Sequence, residues 1–375
     1  MLLVYEKCKN IEQEKEKMMI GRYNMNATEI LFKLSNVFNE EEIFFDNALG
    51  ENLFGKTISN RVESIVYQNL CKMKNVSFDR FEKCFELLCM EKKRETEDYK
   101  KAIEHVAEIF NEAEFNYAFL KGAFLITNLY EEGFRQSNDI DVLIEEKDID
   151  KCQALLFRNG FVQGYFQNGE IKPATRSEVI ISRMNYGETI PFCKVWNNHP
   201  VFVDINFSLD YKPMEDNKII HNMLETTKLH SLKTTFLRTL NLSDFISHLC
   251  LHLYKEATTY DWVRRRKDLN LYKFSDINVI FHEKVTNDIF QELAEKIRDY
   301  GVIKECYYAL LYAAEIYNNL TDMPEYAILL EKIKPDSLDY LHQIIDPMRK
   351  KIYSYDMSFK EWFACEDRVS YLKEV

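Results

Sequence analysis

Asp139 and Asp141 flank Ile140 in the run Asp139-Ile140-Asp141-Val142-Leu143-Ile144, and that spacing is the strongest chemical signal in the chain. The run reads as a β-strand, in which side chains at i and i+2 share a face. The two carboxylates therefore project side by side while Ile140 turns into a core. Like charges about 4 Å apart repel by about 4 kcal/mol at an effective dielectric near 20, so a cation or protonation must compensate. A divalent cation does this directly. A third carboxylate, Asp204, lies in a second apolar run, Val201-Phe202-Val203-Asp204-Ile205, where it costs desolvation energy unless something pairs with it.

If the two runs are neighbouring strands, three carboxylates converge. Hard oxygen ligands of this kind suit Mg²⁺, or Mn²⁺ in its place, which keeps several waters and takes its other oxygens from substrate phosphates. Two such ions about 3.5–4 Å apart can activate an attacking oxygen and stabilise a leaving pyrophosphate. Asp210, beyond the apolar run, is the alternative third ligand. Upstream, Leu120-Lys121-Gly122-Ala123 reads as a strand-to-helix turn whose free N–H groups can accept a triphosphate, with Gly122 permitting close approach. Lys121 and Arg135 are the candidate side-chain contacts to phosphate; Arg135 can equally neutralise the acidic cluster.

The elements that must position these groups follow from hydrophobic periodicity. Helical spacing runs from Ala27 to about Met90, and a charged stretch, Glu91 to Glu95, leads into a helix striped by Ile103, Val106, Ile109 and Phe110. Phe115 to Leu120 reads as a strand, the residues after Gly122 as a helix ended by Gly133, and Cys152 to Phe157 as another helix. Short β-like runs follow at Phe161-Val162, Val179-Ile180-Ile181, Ile190-Pro191-Phe192 and Val201–Ile205. Beyond about Lys228 the pattern is helical to the end. The expected architecture is a mixed sheet covered by helices, divided into an amino-terminal helical region (1–95), a core (96–227) and a carboxy-terminal helical domain (228–375).

Composition narrows the chemistry. The 375 residues carry a net charge of -12, which opposes a general nucleic-acid surface, since such a surface needs a basic excess. Nine cysteines without CxxC spacing read as reduced thiols, not a zinc site or a disulfide framework. Neither an apolar leader after Met1 nor an 18-residue apolar window is legible, so no membrane partner and a cytoplasmic location are expected. His248 and His252, at i and i+4, have helical metal-site spacing but lack the following Glu, and read as core or domain-interface histidines. Arg264-Arg265-Arg266-Lys267 beside Trp262 reads as a solvated face, with an RNA acceptor or a triphosphate as the alternative occupant.

The ordered series Lys121-Gly122-Ala123, Leu129-Tyr130, Arg135, Asp139-Ile140-Asp141-Val142-Leu143-Ile144 and Leu155 to Phe161 resembles the uncharacterised nucleotidyltransferase family of the polymerase-β-like superfamily. The resemblance implies an α+β polymerase-β-like nucleotidyltransferase core, a mixed sheet with helices, flanked by helical regions. It gives Gly122 the glycine of the phosphate-binding turn, Asp139 and Asp141 the paired strand acids, and Asp204 the third acid. Ala123 stands where the superfamily has Gly or Ser, so a hydroxyl contact to phosphate is missing, and the interval from Asp141 to Asp204 is longer than in minimal members. The expected catalytic and metal-binding set is Asp139, Asp141 and Asp204, and the expected nucleotide-binding set is Lys121, Gly122, Ala123 and Arg135. The reading is a Mg²⁺-dependent enzyme that moves an NMP from an NTP to a hydroxyl on a small molecule or protein. A tRNA-end nucleotidyltransferase and a non-catalytic nucleotide-binding module are its rivals.

Overall fold

The computed structural model describes residues 26–41, 43, 50–73, 81–209 and 218–375. Asp210 and the amino-terminal residues through 25, where the absence of a leader was read, lie outside the described residues. Helices α1 (Ala27–Leu34), α2 (Gly50–Asn60), α3 (Glu63–Cys71) and the long α4 (Glu82–Phe110) precede the first strand. The region from Tyr117 to Thr239 then alternates strands and helices: β1 (Tyr117–Phe119), α5 (Lys121–Asn128), β2 (Ile140–Ile144), α6 (Ile149–Arg158), β3 (Val162–Gln167), β4 (Glu170–Pro173), α7 (Arg176–Tyr186), β5 (Phe192–Trp196), β6 (His199–Asn206), α8 (Lys218–Glu225), β7 (Lys228–Ser231) and β8 (Phe236–Thr239). The remainder is α9 (Leu242–Thr258), α10 (Tyr260–Arg264), α11 (Leu271–Lys284), α12 (Asn287–Asp299), α13 (Ile303–Ile316), α14 (Pro324–Lys332), β9 (Gln343–Asp346), β10 (Lys351–Ser354), α15 (Phe359–Ala364) and β11 (Lys373–Glu374).

The fold is mixed α+β. Eight strands form one sheet in the order β4-β3-β5-β6-β2-β1-β8-β7. β2 runs parallel to β6 and β1 parallel to β8, whereas β1–β2, β5–β6, β3–β5, β3–β4 and β7–β8 are antiparallel. β2 is central and buried along its whole length, as its near-continuous apolar run requires of a strand covered on both faces. β6 alternates instead. Val201, Val203 and Ile205 are buried, while Phe202, Asp204 and Asn206 face a partly open side.

Three features depart from the sequence expectation. Val179-Ile180-Ile181 is helical, within α7, because Thr175 and Glu178 form a reciprocal capping box and Gly187 closes the helix in a left-handed conformation. Ile180 and Ile181 are about half exposed there, so the apolar triplet does not mark a buried strand. The region after Lys228 is not helical throughout: β7 and β8 pair into the main sheet, and β9, β10 and β11 form a second, antiparallel one. α4 crosses residue 95 unbroken.

The carboxy-terminal helices are tied to both other parts. α9 starts with Asn241 accepting from the Asp244 amide and buries Phe245, Ile246, Leu249, Cys250 and Leu253. Ser35, after α1, hydrogen-bonds Tyr317 at 3.1 Å, and Asn36 reaches Asn278 and Asn319 at 2.9 and 3.0 Å. No helix among the described residues is long and apolar enough to cross a membrane.

Candidate active site

Strand register decides which acids meet. In the parallel pair β2–β6, Asp141 is the Cα partner of Asp204, so their side chains leave the sheet together, and Asp139, one residue before β2, lies near enough for its charge to act on Asp204 and for that of Asp141 to act on it. All three predicted acids therefore reach one place. Ser137 donates to Asp139 Oδ1 at 3.2 Å, and the Tyr99 hydroxyl on α4 donates to the Asp139 carbonyl at 2.6 Å. Asn206, two residues past Asp204 on the same face, donates to Asp141 Oδ1 at 3.3 Å.

The positive charge that Asp141 meets is the Lys121 ammonium, 2.9 Å from Oδ1, with both side chains largely buried. Burial works against the ammonium, but Asp141 and Asp139 outweigh it and hold the lysine above its usual pKa. Lys121 opens α5 with φ +41°, a conformation that favours glycine and costs another residue about 1–3 kcal/mol. The ion pair with Asp141 lies at the same residue and offsets part of that cost.

The acids remain electrostatically uncomfortable. Burial, reinforced by Asp139, Asp141 and Glu188, holds the Asp204 carboxyl well above the usual range. Burial and then Asp141 raise that of Asp139. Asp204 Oδ1 is buried without any hydrogen-bond partner. No group of three or more His, Cys, Asp or Glu side chains among the described residues is gathered closely enough to hold a metal ion. A buried acceptor with no donor, beside two further carboxylates, nonetheless fits a hard divalent cation by charge and by ligand type.

Beside the acids opens a cavity of about 340 Å³ between the sheet and the carboxy-terminal helices, lined by Lys121, Asn206, Glu188, His252, Lys255 and Arg265 among others. Lys121 is the residue of the sequence-derived nucleotide set that reaches it. Gly122 and Ala123 are buried beneath the turn. A Cβ on Gly122 would fall 2.7 Å from Ser137 Cβ and 3.2 Å from the Tyr99 hydroxyl, so packing alone demands glycine here. Gly122→Ala is expected to destabilise the protein: relief of glycine's helix penalty gains about 1 kcal/mol, whereas forcing the overlap costs about 1–3 kcal/mol. Urea midpoints would read this, with Ser137→Gly restoring most of the loss; an unchanged midpoint for Gly122→Ala would refute it.

Arg135 is elsewhere. Its Nε and Nη2 donate to Asp276 on α11 at 2.8–3.1 Å, Nη1 donates to the Gln136 carbonyl, and the guanidinium lies 4.4 Å above the Tyr272 ring. Only 5% exposed, it binds the core to the carboxy-terminal helices and does not reach the cavity. His248 and His252 lie parallel on α9, their rings 6.5 Å apart. Burial, then Lys121, pulls His248 down to about 3 and His252 well below its usual value; His248 is a core histidine, whereas His252 is partly exposed, lines the cavity and lies 3.5 Å from Glu256. Of the basic run, all four residues are exposed, and Arg265 lines the cavity with Trp262.

Sequence reasoning missed Asn206, Ser137, Tyr99 and Glu188. Asn206 was legible, because alternation places it on the Asp204 face. Glu188 joins through a bridge to Asn206 that only the folded chain displays.

A mixed sheet that gathers acids from two parallel strands beside a lysine-bearing helix start is the setting in which the comparisons fall. The family model of the uncharacterised nucleotidyltransferases matches residues 52–318, more than two thirds of the chain, and the chain belongs to that family. No curated protein and no solved structure matches it.

Proposed function

We propose that this chain moves a nucleoside monophosphate from an NTP to a hydroxyl acceptor, releasing pyrophosphate, on a polymerase-β-like core. The observation that carries this reading is the register pairing of Asp141 with Asp204, with Lys121 paired to Asp141 and lining the adjoining 340 Å³ cavity. Asp139, Asp141 and Asp204 would hold Mg²⁺, which when bound supplies positive charge against the triphosphate.

The chain's own residues do the rest. Lys121 and Arg265 orient the phosphates of a nucleotide seated in the cavity, and Asn206 keeps Asp141 turned toward the site. The acceptor oxygen forms a bond to the α-phosphorus while the bond from that phosphorus to the bridging oxygen breaks, and pyrophosphate leaves with the electron pair. Asp204, whose carboxyl is held above the usual range by burial and its neighbours, takes the hydroxyl proton.

Label transfer from α-³²P-labelled NTPs with Mg²⁺ tests the reading. The wild type is expected to label an acceptor and the Asp139→Asn/Asp141→Asn protein to be inert; equal signals from both would remove transferase activity. Lys121→Met is expected to weaken nucleotide affinity by about 10- to 100-fold, the worth of one charge-assisted contact. Calorimetry with a non-hydrolysable Mg-NTP reads that change, and an unchanged affinity would take Lys121 out of the phosphate site.

A further inference from the structure

A fourth carboxylate stands beside the acids, and strand register places it. Glu188 and Asn206 form an antiparallel bridge, flanked by the Thr189 amide on the Ile205 carbonyl at 2.9 Å and the Phe207 amide on the Gly187 carbonyl at 3.0 Å. The two residues are therefore a non-hydrogen-bonded pair, the closer antiparallel arrangement, with Cβ atoms about 4.5–5.5 Å apart on one face. Alternation puts Asp204 on the face of Asn206, so Glu188 lies on the side of the sheet that carries the acids, about 7–8 Å diagonally from Asp204. Across β6 the partner of Asn206 is Leu143 of β2, so Asn206 separates Glu188 from β2, and its amide is engaged with Asp141. Glu188 thus adjoins the acids and lines the 340 Å³ cavity together with Lys121 and Asn206. Its backbone is held: Gly187 closes α7 with φ +67°, and the Ser182 hydroxyl donates to the Glu188 carbonyl at 3.0 Å. The carboxylate is not held. Among the described residues no donor reaches it at hydrogen-bond distance, and burial raises its pKa against the pull of Lys255 and then Lys121.

Resting on the transferase reading, we infer that Glu188 accepts the 2′- and 3′-hydroxyls of the nucleotide's ribose, and so makes the site select ribonucleotides over deoxyribonucleotides. An enclosed carboxylate facing a cavity needs donors, and its two oxygens match two vicinal hydroxyls. Carboxylates take ribose hydroxyls in the same way in dinucleotide-binding folds. The position fits the order of groups in a nucleotide. Lys121, paired with Asp141, marks the phosphate end, and the sugar follows the α-phosphate by a single ester linkage. Glu188 is the acceptor one strand beyond Asn206 in the same cavity, and Trp262 and Pro191 give that cavity a flat apolar surface for the base. A deoxyribose would leave one carboxylate oxygen enclosed without a donor, and that desolvation cost is the source of the selectivity.

Calorimetry on the full chain with Mg²⁺ and the α,β-methylene analogues of ATP and 2′-deoxy-ATP, repeated with the other bases, tests this. The wild type is expected to bind the ribose form about 10- to 100-fold more tightly, the worth of a hydrogen bond to a charged acceptor. Glu188→Leu removes both acceptor oxygens and is expected to bring the two affinities within about twofold, by weakening the ribose form alone. Glu188→Gln keeps one neutral acceptor and should fall between, and it carries the test if the leucine variant does not fold. Equal affinities in the wild type, a ribose preference unchanged in the variants, or loss of both forms alike, as removal of a metal ligand would give, would overturn the inference. Failure of the wild type to bind any Mg-NTP analogue would instead strike the transferase reading beneath it.

Discussion

Asp204→Asn is expected to lower nucleotidyl transfer by about a thousandfold while leaving the metal-free protein at least as stable as the wild type. The two effects share one cause. Asp204 is a buried carboxylate beside Asp139 and Asp141, with an oxygen that no donor reaches. On the proposed reading a charge so placed serves a bound cation and a proton to be moved, and it burdens the metal-free fold. The sign follows from linkage: a carboxyl whose folded pKa lies above the unfolded value, near 3.8, binds more protons in the folded state. Stability from this group is therefore fully present at low pH and is lost as pH rises from about 3.8 through the raised folded value.

Thermal melts in chelator from about pH 4 to about pH 8 should show the wild type losing stability along this window and the Asn variant losing less. Added Mg²⁺ should stabilise the wild type and have little effect on the variant. A variant that melts earlier than wild type throughout, or that retains transfer, would contradict this account.

Arg135→Ala is expected to cost about 3–5 kcal/mol of folding stability, because it strands the buried Asp276 carboxylate without its partner. Both side chains of the pair are at most 6% exposed, and burial already pushes the Asp276 carboxyl up against the guanidinium that pulls it down. Removing both charges, as in Arg135→Met/Asp276→Leu, should recover much of the loss, since apolar replacement of a buried pair is often nearly neutral. Urea midpoints on the two proteins distinguish this from a phosphate-binding role. Were Arg135 a nucleotide ligand, the alanine variant would keep its midpoint and lose Mg-NTP affinity instead.

These two residues mark where local pattern ends and three-dimensional placement begins. Period-two alternation puts Asp139 and Asp141 on one face whatever surrounds them, and the same rule put Asn206 within reach of notice. The capping box Thr175–Glu178 was equally local, yet the three consecutive apolar residues just after it resembled a strand. β7 and β8 escaped because four-residue strands of mixed polarity have too little periodicity to stand out, and it is the pairing of β8 with β1 and of β7 with β8 that makes them strands.

The sequence by itself determined that two acids share a strand face, that a third lies in another apolar strand, and that a lysine and glycine open a helix just upstream, since each depends on neighbours a few residues away. Only the tertiary structure decided that Asp204 lies opposite Asp141, that Arg135 is held by a residue 141 positions away, and that α9 and α10 wall the 340 Å³ cavity. Those outcomes depend on strand order and on which buried charge finds a partner. Such choices are made by packing the whole chain at once, and no local spacing encodes them.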